Sequence, residues 1–160
     1  VERSRGLGDV YKRQLLPLHM NPQVRACADR VFKDNARWVN DGTTVKMNDS
    51  KIWLCDPVDY VPFIYLMNRA HCIITDSGGV QEEAPSLGKP ILVAREKTER
   101  PEAIAAGTSC LVPLEATSFL KSVTAVLDTP EVFERMTQAK NPFGDGQASE
   151  RILNTLAEKL

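Results

Sequence analysis

The stretch CIITDSGGVQEEAPSLGKPILVA, residues 72–94, decides how the rest of the chain is read. It opens on the apolar run CIIT (72–75) and closes on ILVA (91–94), short β-branched runs of the kind that form central parallel strands covered on both faces. Between them is room for a crossover helix, entered through Ser77-Gly78-Gly79 and carrying the carboxylates Glu82 and Glu83 in its first turns. Strand, glycine turn, helix and strand make the βαβ unit of an α/β fold.

The same rhythm runs outward in both directions. Upstream, LLPL (15–18) and KIWLC (51–55) are expected strands. NPQVRACADRVF (21–32) is an expected helix, with Asn21 as N-cap and Pro22 at the first helical position, where its missing N–H costs nothing. DPVDYVPFIYLMNRA (56–70) sets Tyr60, Phe63, Ile64 and Met67 at helical spacing. Downstream, CLVPL (110–114) predicts a strand, followed by helices at roughly 115–127, 130–139 and 148–159. The tract NARWVNDGTTVKMNDS (35–50) is rich in turn formers and lacks a period. It predicts a surface excursion with a small hairpin at Asp41-Gly42. Residues 1–14, polar, basic and unpatterned, read as a non-native or disordered leader, leaving 15–160 as one Rossmann-like domain with a parallel sheet flanked by helices.

Composition narrows the function classes. The 160 residues carry 20 basic and 21 acidic side chains, a net charge of −1, so no overall field collects nucleic acid or anionic lipid. A bound phosphate must be held by local geometry. No run reaches the roughly 20 apolar residues of a membrane span, and no secretory leader is visible. Cys27, Cys55, Cys72 and Cys110 form no C-x-x-C pair and lie among apolar neighbours, as small core residues of a reducing cytoplasm do. Nothing in the pattern calls for a metal or a cofactor.

In an open parallel sheet, ligands gather beyond the carboxyl ends of the strands, where Asp76-Ser77-Gly78-Gly79 falls. The first turn of a helix there offers unpaired N–H groups to phosphate oxygens. Glycines without Cβ allow close approach and unusual dihedrals, and Ser77 adds a hydroxyl. A carboxylate about one turn on can reach sugar hydroxyls, while the other of the pair can interact with the helix dipole. Arg95, Lys97 and Arg100, in REKTERPE (95–102), follow the next strand along the same edge and suit a diphosphate. Each feature has an ordinary counterpart: a tight strand-to-helix turn, loop charges paired with Glu96 and Glu99, and, for Phe63, a core position instead of a stack on a nucleobase.

From about Leu16 to its end, the chain resembles the carboxyl-terminal half of the non-hydrolysing UDP-N-acetylglucosamine 2-epimerases. The resemblance is carried by PLHMNPQVR, DPVDYVPFIYLMN, TDSGGVQEEAPSLGKPILVAREKTERPEAIAAGT and NPFGDGQASERI, in that order. It implies the second domain of a glycosyltransferase-B-type fold, with Ser77, Gly78, Gly79 and Arg100 on the UDP phosphates and Glu83 on the ribose. It further implies Phe63 and the backbone of Val58 on the uracil, and His19 lining the cleft or a regulatory site. Some relatives have glutamine at the Val58 position. The implied reaction inverts C2 of the sugar by eliminating UDP and adding it back. The family's catalytic acids and its G-H-R-R-E histidine have no counterpart here, so the resemblance implies a fragment with no catalytic residue of its own. It would bind UDP or UDP-N-acetylglucosamine, be inactive without an amino-terminal domain, and form a cytoplasmic homodimer when complete, with neither nucleic acid nor membrane as partner. The alternatives are the donor-nucleotide domain of a glycosyltransferase and a non-catalytic nucleotide-binding module.

Overall fold

The computed structural model describes residues 13–32, 36–39 and 52–159. The expected hairpin at Asp41-Gly42, the insertion at 40–50 and the leader up to residue 12 lie outside them. The chain divides into two compact units, Val1–Phe63 and Ile64–Leu160.

In the first unit, β1 (Gln14–Pro17), β2 (Ala36–Val39) and β3 (Ile52–Cys55) are parallel, in the order β1-β3-β2. Leu54 of the central strand stands in register with Leu16 on one side and Trp38 on the other, and is buried. α1 (Pro22–Phe32) begins as its sequence predicts: Asn21 Oδ1 accepts the N–H of Gln23 at 2.9 Å and Pro22 is the first helical residue. Arg25 reaches from α1 to pair with Asp56 and lies over the Trp38 ring at 5.0 Å, while the Trp38 indole N–H donates to Asp29 at 2.9 Å. These contacts fasten α1 to the strands. β2 corrects the expectation of a surface excursion beginning at residue 35. ARWV has four residues among turn formers, too short to show a period, and becomes a strand because β3 supplies its ladder partner.

α2 (Tyr60–Arg69) continues into the second unit. Its buried residue is Met67, with Phe63 and Ile64 half-buried; Tyr60, expected on the same face, is 65% exposed.

The second unit holds β4 (Ile73–Thr75), β5 (Ile91–Val93) and β6 (Ser109–Leu111), parallel and in that spatial order. Ile91, Leu92 and Val93 are fully buried, as the ILVA run predicts. The CIIT run is different, because β4 is an outer strand of this sheet and Ile74 is 46% exposed. α3 (Gly78–Glu83) and the 3-10 turn Ala84–Leu87 connect β4 to β5, and α4 (Pro101–Ala106) connects β5 to β6. Gly107 ends α4 at φ 80°, a left-handed conformation that favours glycine, with its N–H turned back to the carbonyls of Ala103 and Ile104.

α5 (Ala116–Leu127) and α6 (Pro130–Gln138) complete the core, where Val126 and Met136 pack with Leu92 and Val112 and are walled by Phe119, Val123 and Phe133. Each of the four buried side chains, Leu92, Val112, Val126 and Met136, contributes about 1.5–3 kcal/mol by leaving water. α7 (Ala148–Lys159) buries none of its residues. The cysteines are less enclosed than expected: Cys27 is exposed and the other three are half-buried. Burial still pushes the thiols of Cys72 and Cys110 up, and that of Cys55 with help from the Asp56 charge.

Candidate functional site

β4 ends at Thr75, and the chain turns through Asp76 and Ser77 into α3. Thr75 Oγ1 accepts the N–H of Ser77 at 3.0 Å, which sets the turn. Ser77 is the N-cap: its backbone is extended and its Oγ accepts the N–H of Val80 at 3.5 Å. The N–H groups of Gly78 and Gly79 make no hydrogen bond among the described residues. Ser77 and Gly79 are exposed and Gly78 is half-buried, so all three can be reached from solvent.

Two expectations about this helix change. α3 has only six residues before it tightens into the 3-10 turn containing Pro85, so its α-helical dipole is that of fewer than two turns. Neither glycine has a positive φ; both lie in ordinary helical backbone. A Cβ at Gly78 would come no nearer than 4.0 Å to Arg100 Nη2, and one at Gly79 no nearer than 3.9 Å to Ser77 Oγ. The fold therefore has room for side chains at both positions, although glycine in a helix costs about 0.5–1 kcal/mol relative to alanine.

Glu82 and Glu83 take different roles. They stand at the carboxyl end of α3, where a negative charge meets the unfavourable end of the dipole, so neither is stabilised there as the sequence suggested. Glu82 pairs with Nε of Arg100. Glu83, half-buried, has no hydrogen-bond or ion-pair partner among the described residues.

Arg100 is the cation the structure brings to the turn. Its Nε meets Glu82, its Nη1 donates to the Glu99 carbonyl at 3.0 Å, and its Nη2 faces Gly78. Gly78 and Glu82 lie one helical turn apart on the same face, so a guanidinium paired with Glu82 also lies beside Gly78. Arg95 and Lys97 are not paired with Glu96 or Glu99 among the described residues. The residue that sequence reasoning missed is Gln81. It is 1% exposed, its Nε2 donates to the Ser77 carbonyl at 3.1 Å, and its Oε1 accepts from Thr98 Oγ1 at 2.6 Å. Nothing in the sequence sets it apart from its acidic neighbours.

His19, Val58 and Phe63 belong to the first unit. His19 is exposed and its Nδ1 accepts the N–H of Asn21 at 3.1 Å, a bond that helps start α1. Val58 is half-buried in the loop before α2, and its peptide groups make no hydrogen bond among the described residues. Phe63 is half-buried, and its N–H donates to the Asp59 carbonyl at 2.9 Å.

An open groove of about 550 Å³ lies elsewhere, between the end of α4 and α6. Its one cation, Arg135, is flanked by Glu131 and Glu134, which does not suit a polyanion. Among the described residues no cluster of three or more His, Cys, Asp or Glu could hold a metal, and no helix is long and apolar enough to cross a membrane.

The family model for UDP-N-acetylglucosamine 2-epimerase matches residues 6–157. A probable UDP-N-acetylglucosamine 2-epimerase of Ralstonia solanacearum is 48% identical over 140 residues, which cover 88% of this chain and 34% of that protein. The crystal structure of UDP-GlcNAc 2-epimerase from Neisseria meningitidis bound to UDP-GlcNAc superposes with a TM-score of 0.72 at 44% identity, over 90% of this chain and 35% of the other. An S. aureus protein solved with UDP gives a TM-score of 0.76 at 36% identity, over 90% and 36%. The chain spans about a third of the length of the curated relatives it matches. These matches fix the α/β class, with parallel strands flanked by helices, as that of the second domain of a glycosyltransferase-B-type fold.

Proposed function

The chain belongs to the UDP-N-acetylglucosamine 2-epimerase family, and from that premise we propose that it is the UDP-holding, carboxyl-terminal part of an enzyme interconverting UDP-GlcNAc and UDP-ManNAc. In this reading residues 15–160 are the Rossmann-like UDP domain. Ser77, Gly78, Gly79 and Arg100 receive the diphosphate, and Glu83 accepts hydrogen bonds from the ribose hydroxyls. Phe63 packs on the uracil, and the free peptide groups at Val58 meet its edge. His19 lines the cleft or a regulatory site.

One observation carries the reading: Gly78 and Gly79 sit in helical backbone that has room for a Cβ, beside the guanidinium of Arg100. A fold that only needed a turn would gain stability from alanine at both positions. Glycine there keeps open the space that phosphate oxygens would fill, next to two N–H groups with no protein acceptor among the described residues.

The chemistry divides accordingly. In elimination, a base removes the C2 proton, the C1–O bond breaks, and UDP leaves with the electron pair, giving a 2-acetamidoglucal. Re-addition returns the UDP oxygen to C1 and a proton to the other face of C2. This chain's share is to stabilise the charge that develops on the departing diphosphate, through N–H groups and a guanidinium. The base is assigned to an amino-terminal domain that a complete enzyme supplies, as a cytoplasmic homodimer. By itself the chain binds UDP and forms no UDP-ManNAc.

Gly78→Ala and Gly79→Ala test this with two measurements at once. Each substitution raises thermal stability, by about 0.5–1 kcal/mol, and weakens UDP binding in titration calorimetry. Stability gained with UDP affinity unchanged would overturn the site.

A further inference from the structure

Between β5 and α4, residues 94–100 cross from strand to helix without regular structure. No backbone–backbone hydrogen bond holds the amides of residues 96–100 among the described residues. Arg100 ends this loop, so the place of its guanidinium depends on what fastens the loop to α3. Two links do so. One is the Arg100–Glu82 pair, whose side chains are 33% and 42% exposed and open to water and salt. The other is centred on the buried Gln81.

This second link is a relay of three part-buried hydrogen bonds. Gln81 Nε2–H donates to the Ser77 carbonyl at 3.1 Å, Thr98 Oγ1–H donates to Gln81 Oε1 at 2.6 Å, and the Arg100 N–H donates to Thr98 Oγ1 at 3.0 Å. The Thr98 hydroxyl accepts on one side and donates on the other, so the chain of bonds runs in one sense from the arginine backbone to the cap of the glycine turn. Gln81 is 1% exposed, which shields its two bonds from competition with water.

We infer that Gln81, through Thr98, is a positioning residue that holds Arg100 against Ser77-Gly78-Gly79 and so sets the width of the diphosphate site. The inference rests on the reading of that turn as the phosphate site. Without the relay the arginine keeps its charge, but only the half-exposed pair with Glu82 still ties it to α3, and its Nη2 is no longer held in place beside Gly78. Affinity for the diphosphate falls, while contacts to uridine are untouched.

The test uses the full chain with Gln81→Met, which keeps volume and removes both bonds, Thr98→Val, which removes only the hydroxyl, and Thr98→Ser, which restores it. Two readouts are taken: titration calorimetry with UDP and with pyrophosphate, and the side-chain Nε–H resonance of Arg100, assigned by its disappearance in Arg100→Lys. Gln81→Met and Thr98→Val are expected to bind both ligands about tenfold more weakly and to shift and broaden the Arg100 resonance. Thr98→Ser is expected to behave as the native chain in both. If Gln81→Met does not fold, the threonine pair still decides. An unmoved Arg100 resonance in Thr98→Val overturns the inference whether or not UDP binds. Failure of the native chain to bind UDP instead removes the phosphate site, and the resonance of Thr98→Val against Thr98→Ser then still decides the relay.

Discussion

Arg100 and Glu82 form an ion pair across the mouth of the glycine turn, with the guanidinium reaching on past the carboxylate to Gly78. Half-exposed pairs of this kind contribute little to folding, about 0–1 kcal/mol. The effect of the pair is on position and charge: Glu82 holds the arginine at the site and partly screens it.

That arrangement predicts a coupled outcome for the two residues. Arg100→Ala removes a charged hydrogen-bond donor and leaves the Glu82 carboxylate unpaired beside an anion, so UDP affinity should fall by roughly 1.5–3 kcal/mol, about ten- to a hundredfold. In Arg100→Ala/Glu82→Gln the repulsion is gone and part of the loss should return. Calorimetry on the four proteins of the cycle gives the coupling. A double variant no better than Arg100→Ala would mean that Glu82 has no electrostatic bearing on the ligand.

Glu83 has no partner among the described residues and sits one turn beyond Gly79. If its carboxylate grips ribose, Glu83→Gln should weaken UDP about tenfold while leaving pyrophosphate unchanged or slightly tighter, since a negative charge near a polyanion is removed. Equal losses for the two ligands would place the carboxylate away from the sugar.

How far the sequence could reach depended on whether a signal was local. ILVA was legible because three consecutive fully buried residues need no partner to declare themselves, and Asn21-Pro22 because capping is settled within one turn. β2 was not legible, since ARWV becomes a strand only through β3, a tertiary decision. The short length of α3 was available in principle: Pro85 cannot continue an α-helix that starts at Gly78, and its place in QEEAPSLG marks the tightening. The turn at Ser77-Gly78-Gly79 is legible as a place in the fold, but the glycines' dihedrals and the Arg100–Glu82 pair depend on how α3 and the loop before α4 pack. Gln81 was invisible because its role is defined by Thr98, seventeen residues away. Cys27 has apolar neighbours in sequence yet is exposed on α1, because neighbours along the chain do not set which face of a helix is covered.

The thiols offer a check on the fold that needs no ligand. Cys27 is exposed, with Arg30 Nη2 3.6 Å from its sulfur, whereas burial pushes the other three thiols up and keeps them protonated near neutral pH. Reaction with a thiol-specific disulfide reagent at about pH 7.5 should therefore be fast at one position and slow at three. All four should react quickly once the chain is unfolded. Mass mapping that finds Cys72 or Cys110 modified first would contradict the packing of the second unit's core.

Acid should act on the second unit through Glu115. This residue caps α5, its two carboxylate oxygens accepting the N–H groups of Thr117 at 2.9 Å and Ser118 at 2.8 Å. Those bonds favour the ionised form and hold the carboxyl at about 2, below the ordinary value of 4.5. A group with a lowered folded value stabilises the native state fully above its unfolded value, and that contribution is lost as pH falls toward the folded one. The window for Glu115 is therefore from about 4.5 down to about 2. In Glu115→Gln the amide oxygen still accepts one of the two bonds, but the side chain has nothing to titrate. That variant should thus be less stable than the native chain at neutral pH, and the difference should shrink steadily as pH falls from about 5 to about 2.5. Thermal unfolding of both proteins across that range, followed by far-ultraviolet circular dichroism, measures it; a constant difference would show that the cap works through geometry alone and not through its charge.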